Sequence, residues 1–112
     1  MADKAKLLKS WLPMTETAFY ILLAFDEPRH GYGVTKFVTE LTEERIKLGS
    51  GTLYTTLSKM LKDWLIALYD NSDKTTVYER TELGTEILMT DIVRLRTVYN
   101  DIEKVYGKEE TA

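Results

Sequence analysis

Apolar side chains recur along most of the chain at intervals of three and four residues, which places them on one face of an α-helix. This pattern predicts a short helix over residues 4–12, ended by Pro13, and then a strongly apolar helix capped by Thr15. A third helix follows His30 and extends to about residue 42, and a fourth begins near Ser50. The second helix is apolar on most sides, which is typical of a helix buried at the centre of a domain.

The next segment changes to the pattern of β-strands. Residues 65–69 and 75–80 are short and rich in β-branched or aromatic side chains, and a turn-forming cluster of Asp, Asn and Ser separates them. This predicts a β-hairpin with a loop of about five residues. Thr81 then caps a final helix, which runs from Glu82 to about Tyr106 and stops at Gly107.

The final helix carries an apolar repeat of its own. Its members are separated by 4, 3, 4, 3 and 4 residues, an average spacing typical of the seam of a coiled coil. We interpret the seam as the interface of a homodimer. The predicted interface residues are Leu88, Ile92, Leu95, Tyr99, Ile102 and Tyr106.

The fourth helix has an outer face of short hydroxyl side chains and a few cations, introduced by glycine and serine. Such a face suits close approach to base edges and phosphates, and the free amides at a helix N-terminus can bind a phosphate. An exposed face that binds nothing is the alternative, and Tyr54 could instead pack under the hairpin. The predicted DNA-binding residues are Ser50, Thr52, Tyr54, Thr55, Lys59 and Lys74.

The order of the elements predicts the fold class. We expect a mainly α fold with a small β-hairpin, namely a winged helix-turn-helix plus a long C-terminal dimerisation helix. The predicted divisions are an N-terminal helical arm (1–14), a DNA-binding winged helix-turn-helix domain (15–81), the dimerisation helix (82–107) and a flexible tail (108–112).

Three short motifs resemble the PadR family of bacterial transcriptional regulators. They are HGYG at residues 30–33, GTLYTTL at residues 51–57 and YERTELG at residues 78–84, within a similarity that covers about residues 15–87. The resemblance implies a dimeric winged-helix repressor that binds double-stranded DNA. Its two subunits are joined through the helix after the wing. It also implies release from a palindromic operator by a small-molecule effector or another signal.

The chain departs from the family pattern at several positions. Ser50 and Thr55 stand where the family often has proline, and Trp64 stands where a glycine usually closes the helix. The wing, here the hairpin of residues 65–80, has only Lys74 and Arg80 against three acidic side chains. This weakly basic wing motivates a second hypothesis, a winged-helix protein-interaction module that does not bind DNA.

The composition fits one domain and disfavours several kinds of site. Of the 112 residues 44% are hydrophobic, but no apolar run has the roughly 20 residues that a membrane span needs. Cysteine is absent and His30 is the single histidine, which removes most zinc sites and thiol nucleophiles. We therefore expect no enzyme activity, no metal, no cofactor and no membrane partner, and we interpret His30 as a turn or capping residue.

The net charge of −3 does not by itself indicate a nucleic-acid partner. Its distribution matters more. The first 80 residues carry 11 basic and 11 acidic side chains, whereas residues 81–112 carry 4 basic and 7 acidic ones. The predicted DNA-binding domain is thus neutral, and the excess acid lies on the predicted dimerisation helix and tail. No signal peptide is visible, so we expect a cytoplasmic protein.

Overall fold

The computed structural model describes residues 3–70 and 75–107, so the loop of the hairpin and the predicted tail lie outside the described residues. The five helices and the two strands of the hairpin occur in the predicted order, and the mainly helical fold class is confirmed. The elements are α1 (Lys4–Trp11), α2 (Glu16–Leu23), β1 (Arg29–His30), α3 (Gly31–Leu41), α4 (Ser50–Lys62), β2 (Ile66–Asp70), β3 (Val77–Arg80) and α5 (Glu82–Tyr106).

Side-chain caps fix where four of the five helices begin, including α1, which Asp3 caps. Thr15 accepts a hydrogen bond from the Ala18 amide at 3.1 Å, and Thr81 accepts one from the Gly84 amide at 3.0 Å. His30 plays the same part for α3, because its Nδ1 accepts from the Gly33 amide at 3.2 Å. The interpretation of His30 as a capping residue is therefore confirmed.

The sheet has three antiparallel strands in the order β1-β3-β2, so the prediction of a simple two-stranded hairpin was incomplete. The added strand β1 pairs Arg29 with Tyr78 and His30 with Val77. Two residues are too few to show the alternation that marks a strand in sequence. Their extended backbone follows from the capping role of His30, which holds φ at −91° and ψ at 170°.

One apolar core joins all five helices to the sheet. Even α1, predicted as a separate arm, contributes to it. The Trp11 side chain is buried, and its indole N–H donates to a carboxylate oxygen of Asp63 at 3.0 Å. The most deeply buried large side chains are Ile21, Leu22, Leu53, Leu57, Met60, Leu65, Ile66 and Ile87.

The long helix α5 has two parts. Its first part packs on the core through Ile87 and Leu88 and ends in Asp91, which is only 1% exposed. Asp91 accepts from the Met14 amide at 3.4 Å and from the Arg94 side chain at 2.7 Å, and so fastens α5 to the start of α2. The second part, residues 93–106, is exposed apart from the half-buried Glu103. No helix in the described ranges is long and apolar enough to cross a lipid bilayer.

The turn between α4 and β2 is built differently from a glycine turn. Trp64 takes a left-handed backbone with φ of 64° and keeps its indole exposed. A bulky residue in this region costs on the order of 1–2 kcal/mol. The turn is held by Thr81, whose hydroxyl donates to the Trp64 carbonyl and whose amide donates to the Leu65 carbonyl.

Gly84 allows the first turn of α5 to pack directly against the backbone of the turn between α4 and β2. A Cβ at Gly84 would overlap the Leu65 carbonyl oxygen, which belongs to buried backbone and cannot move freely. We expect Gly84→Ala to lower the free energy of unfolding by about 1–3 kcal/mol, measured by urea denaturation. Gly51→Ala is the matched control, because nothing lies within 4 Å of a Cβ at Gly51. The control should be neutral or stabilising by up to about 1 kcal/mol, and equal losses in both variants would contradict the role assigned to Gly84.

Candidate nucleic-acid interface

Helix α4 separates its faces as the sequence predicted. It buries Leu53, Leu57 and Met60 against the core. The predicted DNA-binding residues of the helix are all exposed: Ser50, Thr52, Tyr54, Thr55 and Lys59. The remaining member of the predicted set, Lys74, lies outside the described residues.

The N-terminus of α4 keeps its first amides free of side-chain caps. The N-cap is Gly49, which has no side chain to accept from them, and the first turn contains no acidic residue. Uncapped amides at a helix N-terminus carry partial positive charge and point outward along the axis. This end of α4 therefore has the chemistry of an anion site, in contrast to the capped ends at Thr15, His30 and Thr81.

Lys59 lies at the far end of the same helix. Its ammonium is 5.0 Å from the centre of the Trp11 ring, within the range of a cation–π contact. Seven residues separate Lys59 from Thr52, which corresponds to about 10 Å along a helix axis. The structure therefore places Lys59 beside α1, away from the N-terminal hydroxyls of α4, where a phosphate flanking the groove would be its natural ligand.

Tyr54 joins α4 to the start of α3. A Cβ on Gly31 would overlap the Tyr54 hydroxyl and ring, so glycine is what lets the phenol approach this backbone. Tyr54 remains 49% exposed, and its hydroxyl is the part that lies against Gly31. Burial, and secondarily the neighbouring Tyr54, raises the pKa of Tyr78 on β3.

A polar cleft of about 480 Å³ opens beside Tyr54, between α3, α4 and the strand β3. Tyr32 stands at its edge, 70% exposed, with its ring stacked on His30. Sequence reasoning did not single out Tyr32, although the HGYG motif contains it. The cleft is lined by His30, Gly31, Tyr32, Tyr54, Thr75, Thr76 and Tyr78.

Arg80, one of the two wing cations counted in the sequence, is turned inward. Its guanidinium donates to the Leu22 carbonyl at 3.0 Å and to the Thr85 hydroxyl at 3.0 Å, and burial lowers its pKa. Arg80 therefore ties the sheet to the end of α2 and does not point toward a ligand of the wing. Arg29 and Arg45 are also engaged, each with a carboxylate of its own chain.

The predicted dimer interface divides at residue 92. Leu88 is 3% exposed and belongs to the core of its own chain, and Ile92 packs against that core. The other four positions are exposed along the free part of α5: Leu95, Tyr99, Ile102 and Tyr106. Within the described ranges, no group of three His, Cys, Asp or Glu side chains is placed to hold a metal ion.

The sequence matches a protein-family model. The model for the transcriptional regulator PadR-like family aligns with residues 21–90, which hold α3, α4, the sheet and the base of α5. The chain belongs to this family. The resemblance seen in its three motifs is thereby confirmed, and the protein is a transcriptional regulator of the PadR-like type.

Solved structures share the fold of this PadR-like protein at low sequence identity. A transcriptional regulator from Clostridium thermocellum superposes with a TM-score of 0.67 at 20% identity, over 88% of this chain and 96% of the other. A PadR family transcriptional regulator from Eggerthella lenta gives 0.63 at 21% identity, over 90% and 86%. RosR from H. salinarum gives 0.63 at 19% identity, over 84% and 97%. No curated protein sequence matches significantly.

The coupling between Gly31 and Tyr54 can be tested by double mutation. Gly31→Ala forces the Tyr54 ring to move, and we expect it to lower the free energy of unfolding by about 1–3 kcal/mol. In a Tyr54→Ala background the space is free, so the same substitution should cost close to nothing. The two costs are compared by urea denaturation, and equal costs in both backgrounds would show that the two residues are not coupled.

Proposed function

We propose that this PadR-like regulator is a homodimer that binds double-stranded DNA in a sequence-specific manner and acts as a repressor. Each protomer would place the N-terminal half of α4 in a major groove. The observation that carries the proposal is the start of α4: uncapped amides beneath an exposed face of hydroxyls, next to the open cleft at Tyr54. Amides bind phosphate oxygens, and hydroxyls can donate to or accept from base edges.

The exposed half of α5 supports the proposed dimerisation. The side chains of Leu95, Tyr99, Ile102 and Tyr106 are 39% to 66% exposed on one stripe of a single helix. Burying such an apolar stripe away from water is favourable, and a second copy of the same helix would bury it symmetrically. Two copies of α4 would then read two half-sites about 34 Å apart in a roughly palindromic operator.

We further propose that a small-molecule effector or another signal releases the regulator from its operator. The support for this release is the resemblance to the PadR family together with the exposed aromatic side chains of Tyr99 and Tyr106 at the proposed interface. Screening aromatic compounds for a rise in melting temperature and a loss of operator binding would test it. An effector should produce both effects, because it must bind the released state better than the bound one.

A second candidate function is a winged-helix protein-interaction module that does not bind DNA. It is favoured by the inward position of Arg80 and by the net charge of −3. Selection of duplexes from a random pool with the purified protein separates the two candidates. Enrichment of a palindromic sequence supports the regulator of DNA, whereas no enrichment together with a co-purifying partner protein supports the module.

The recognition face is tested by a charge placed at its centre. Thr55→Glu sets a carboxylate on the exposed face of α4, where it would repel phosphates and leave a base contact unmade. We expect operator affinity to fall about 10- to 100-fold in a gel-shift titration, since one base contact is worth about 1–3 kcal/mol. Thr97→Glu is the matched control, because Thr97 is an exposed helical threonine on the far side of α5 from the seam and the charge change is the same. Equal losses in both variants would point to net charge alone.

The lysines and the inward-facing Arg80 should affect the salt dependence of operator binding differently. Counting Lys47, Lys59, Lys62 and Lys74 on each protomer, the logarithm of operator affinity should fall with the logarithm of salt concentration at a slope of about −5 to −7. Lys62→Gln should make this slope less steep by about 2, because a dimer loses two cations. Arg80→Gln should leave the slope unchanged but lower the free energy of unfolding by about 1–3 kcal/mol, since it removes buried hydrogen bonds. A slope that changes with Arg80→Gln would contradict the inward position of this side chain.

A further inference from the structure

The free half of α5 holds more than an apolar stripe. Its outer positions differ in chemistry on the two flanks of the seam. Arg96 and Glu103 lie on one flank, seven residues apart, and Val98 and Val105 lie on the other with the same separation. Residues seven apart occupy equivalent positions in a coiled coil, so each flank repeats one structural position.

Glu103 is the unusual member of this set. It is half-buried, whereas every other residue from 93 to 106 is exposed, and one of its carboxylate oxygens is buried without a hydrogen-bond partner in the described part of the chain. The Tyr99 hydroxyl lies beside it, and its hydrogen bond to the Glu103 carboxylate raises the pKa of Tyr99. A buried carboxylate oxygen without a donor is costly, and a guanidinium is the donor that suits it best.

We propose that two copies of α5 pair in antiparallel orientation, with Arg96 of each protomer donating to Glu103 of the other. This inference rests on the homodimer of the proposed function and specifies its geometry. The alignment sets Leu95 opposite the partner's Tyr106 and Tyr99 opposite the partner's Ile102.

The same alignment matches both flanks at once. When the seam residues form these four layers, Arg96 faces the partner's Glu103 and Val98 faces the partner's Val105. In antiparallel coiled coils, equivalent flanking positions of the two helices meet each other. On one flank, the two-fold symmetry therefore forms the ion pair between Arg96 and Glu103 twice. On the other flank, Val98 and Val105 make an apolar contact.

A parallel alignment of α5 leaves the flanks mismatched. It would bring Arg96 opposite Asp91 of the other protomer, but Asp91 is 1% exposed and already bound by Arg94 and the Met14 amide of its own chain. It would also set Val98 against Glu103, an apolar side chain against an unpaired carboxylate. The charges therefore favour the antiparallel pairing.

Cysteine cross-linking distinguishes the two orientations, and the chain has no cysteine of its own to interfere. Leu95→Cys and Tyr106→Cys are prepared separately, mixed under exchange conditions and oxidised. We expect cross-linked dimers in the mixture and essentially none with either variant alone, since residues 95 and 106 lie about 16 Å apart along the helix. Cross-linking of Leu95→Cys with itself would establish the parallel pairing and overturn the inference.

A charge exchange tests the proposed ion pair. Arg96→Glu and Glu103→Arg should each weaken the dimer on the order of tenfold by sedimentation equilibrium, because two attractive pairs become repulsive. The double variant that carries both substitutions in one chain should restore wild-type association. Failure of this rescue, with all variants helical by circular dichroism, would refute the pairing while leaving a homodimer in place. A wild-type chain that sediments as a monomer would instead refute the homodimer itself.

Discussion

The close contact between the first turn of α5 and the Leu65 carbonyl is the constraint on which the rest of the architecture depends. Gly84 provides the space for it, and Thr81 holds it through the carbonyls of Leu65 and Trp64. The contact joins the end of α4 to the base of α5, so it fixes the direction of the long helix relative to the candidate recognition helix. The strained backbone at Trp64 is tolerated there because the two hydrogen bonds donated by Thr81 hold the turn.

Much of this fold could be predicted from the sequence, because its signals are local. Thr15, His30 and Thr81 each cap a helix as their positions indicated. The features that were missed depend on tertiary packing. The strand β1 has no pattern of its own and exists because β3 lies beside it. The inward position of Arg80 could not be predicted either. In the sequence, an arginine in a wing is equally compatible with binding a phosphate and with donating to a backbone carbonyl of its own chain.

The candidate site could be predicted in outline but not in its electrostatics. The exposed hydroxyl face of α4 followed from helical periodicity alone. Sequence counts do not show that Arg29, Arg45 and Arg80 are engaged within the chain, or that Lys59 rests over Trp11. Fewer of the cations in the described part of the chain are therefore open to a ligand than the sequence count suggests. In the proposed complex, the exposed lysines would supply the salt-dependent part of binding, and helix amides and hydroxyls would position the helix and read the bases.

The apolar repeat of α5 serves two purposes along one helix. Leu88 and Ile92 pack within the chain, whereas the same stripe from Leu95 onward is exposed. Asp91 marks the division, and its bond to the Met14 amide connects α5 to α2 and hence to the core beneath α4. In the proposed dimer, one continuous helix would therefore carry both the contacts to its own core and the interface, with Asp91 between them.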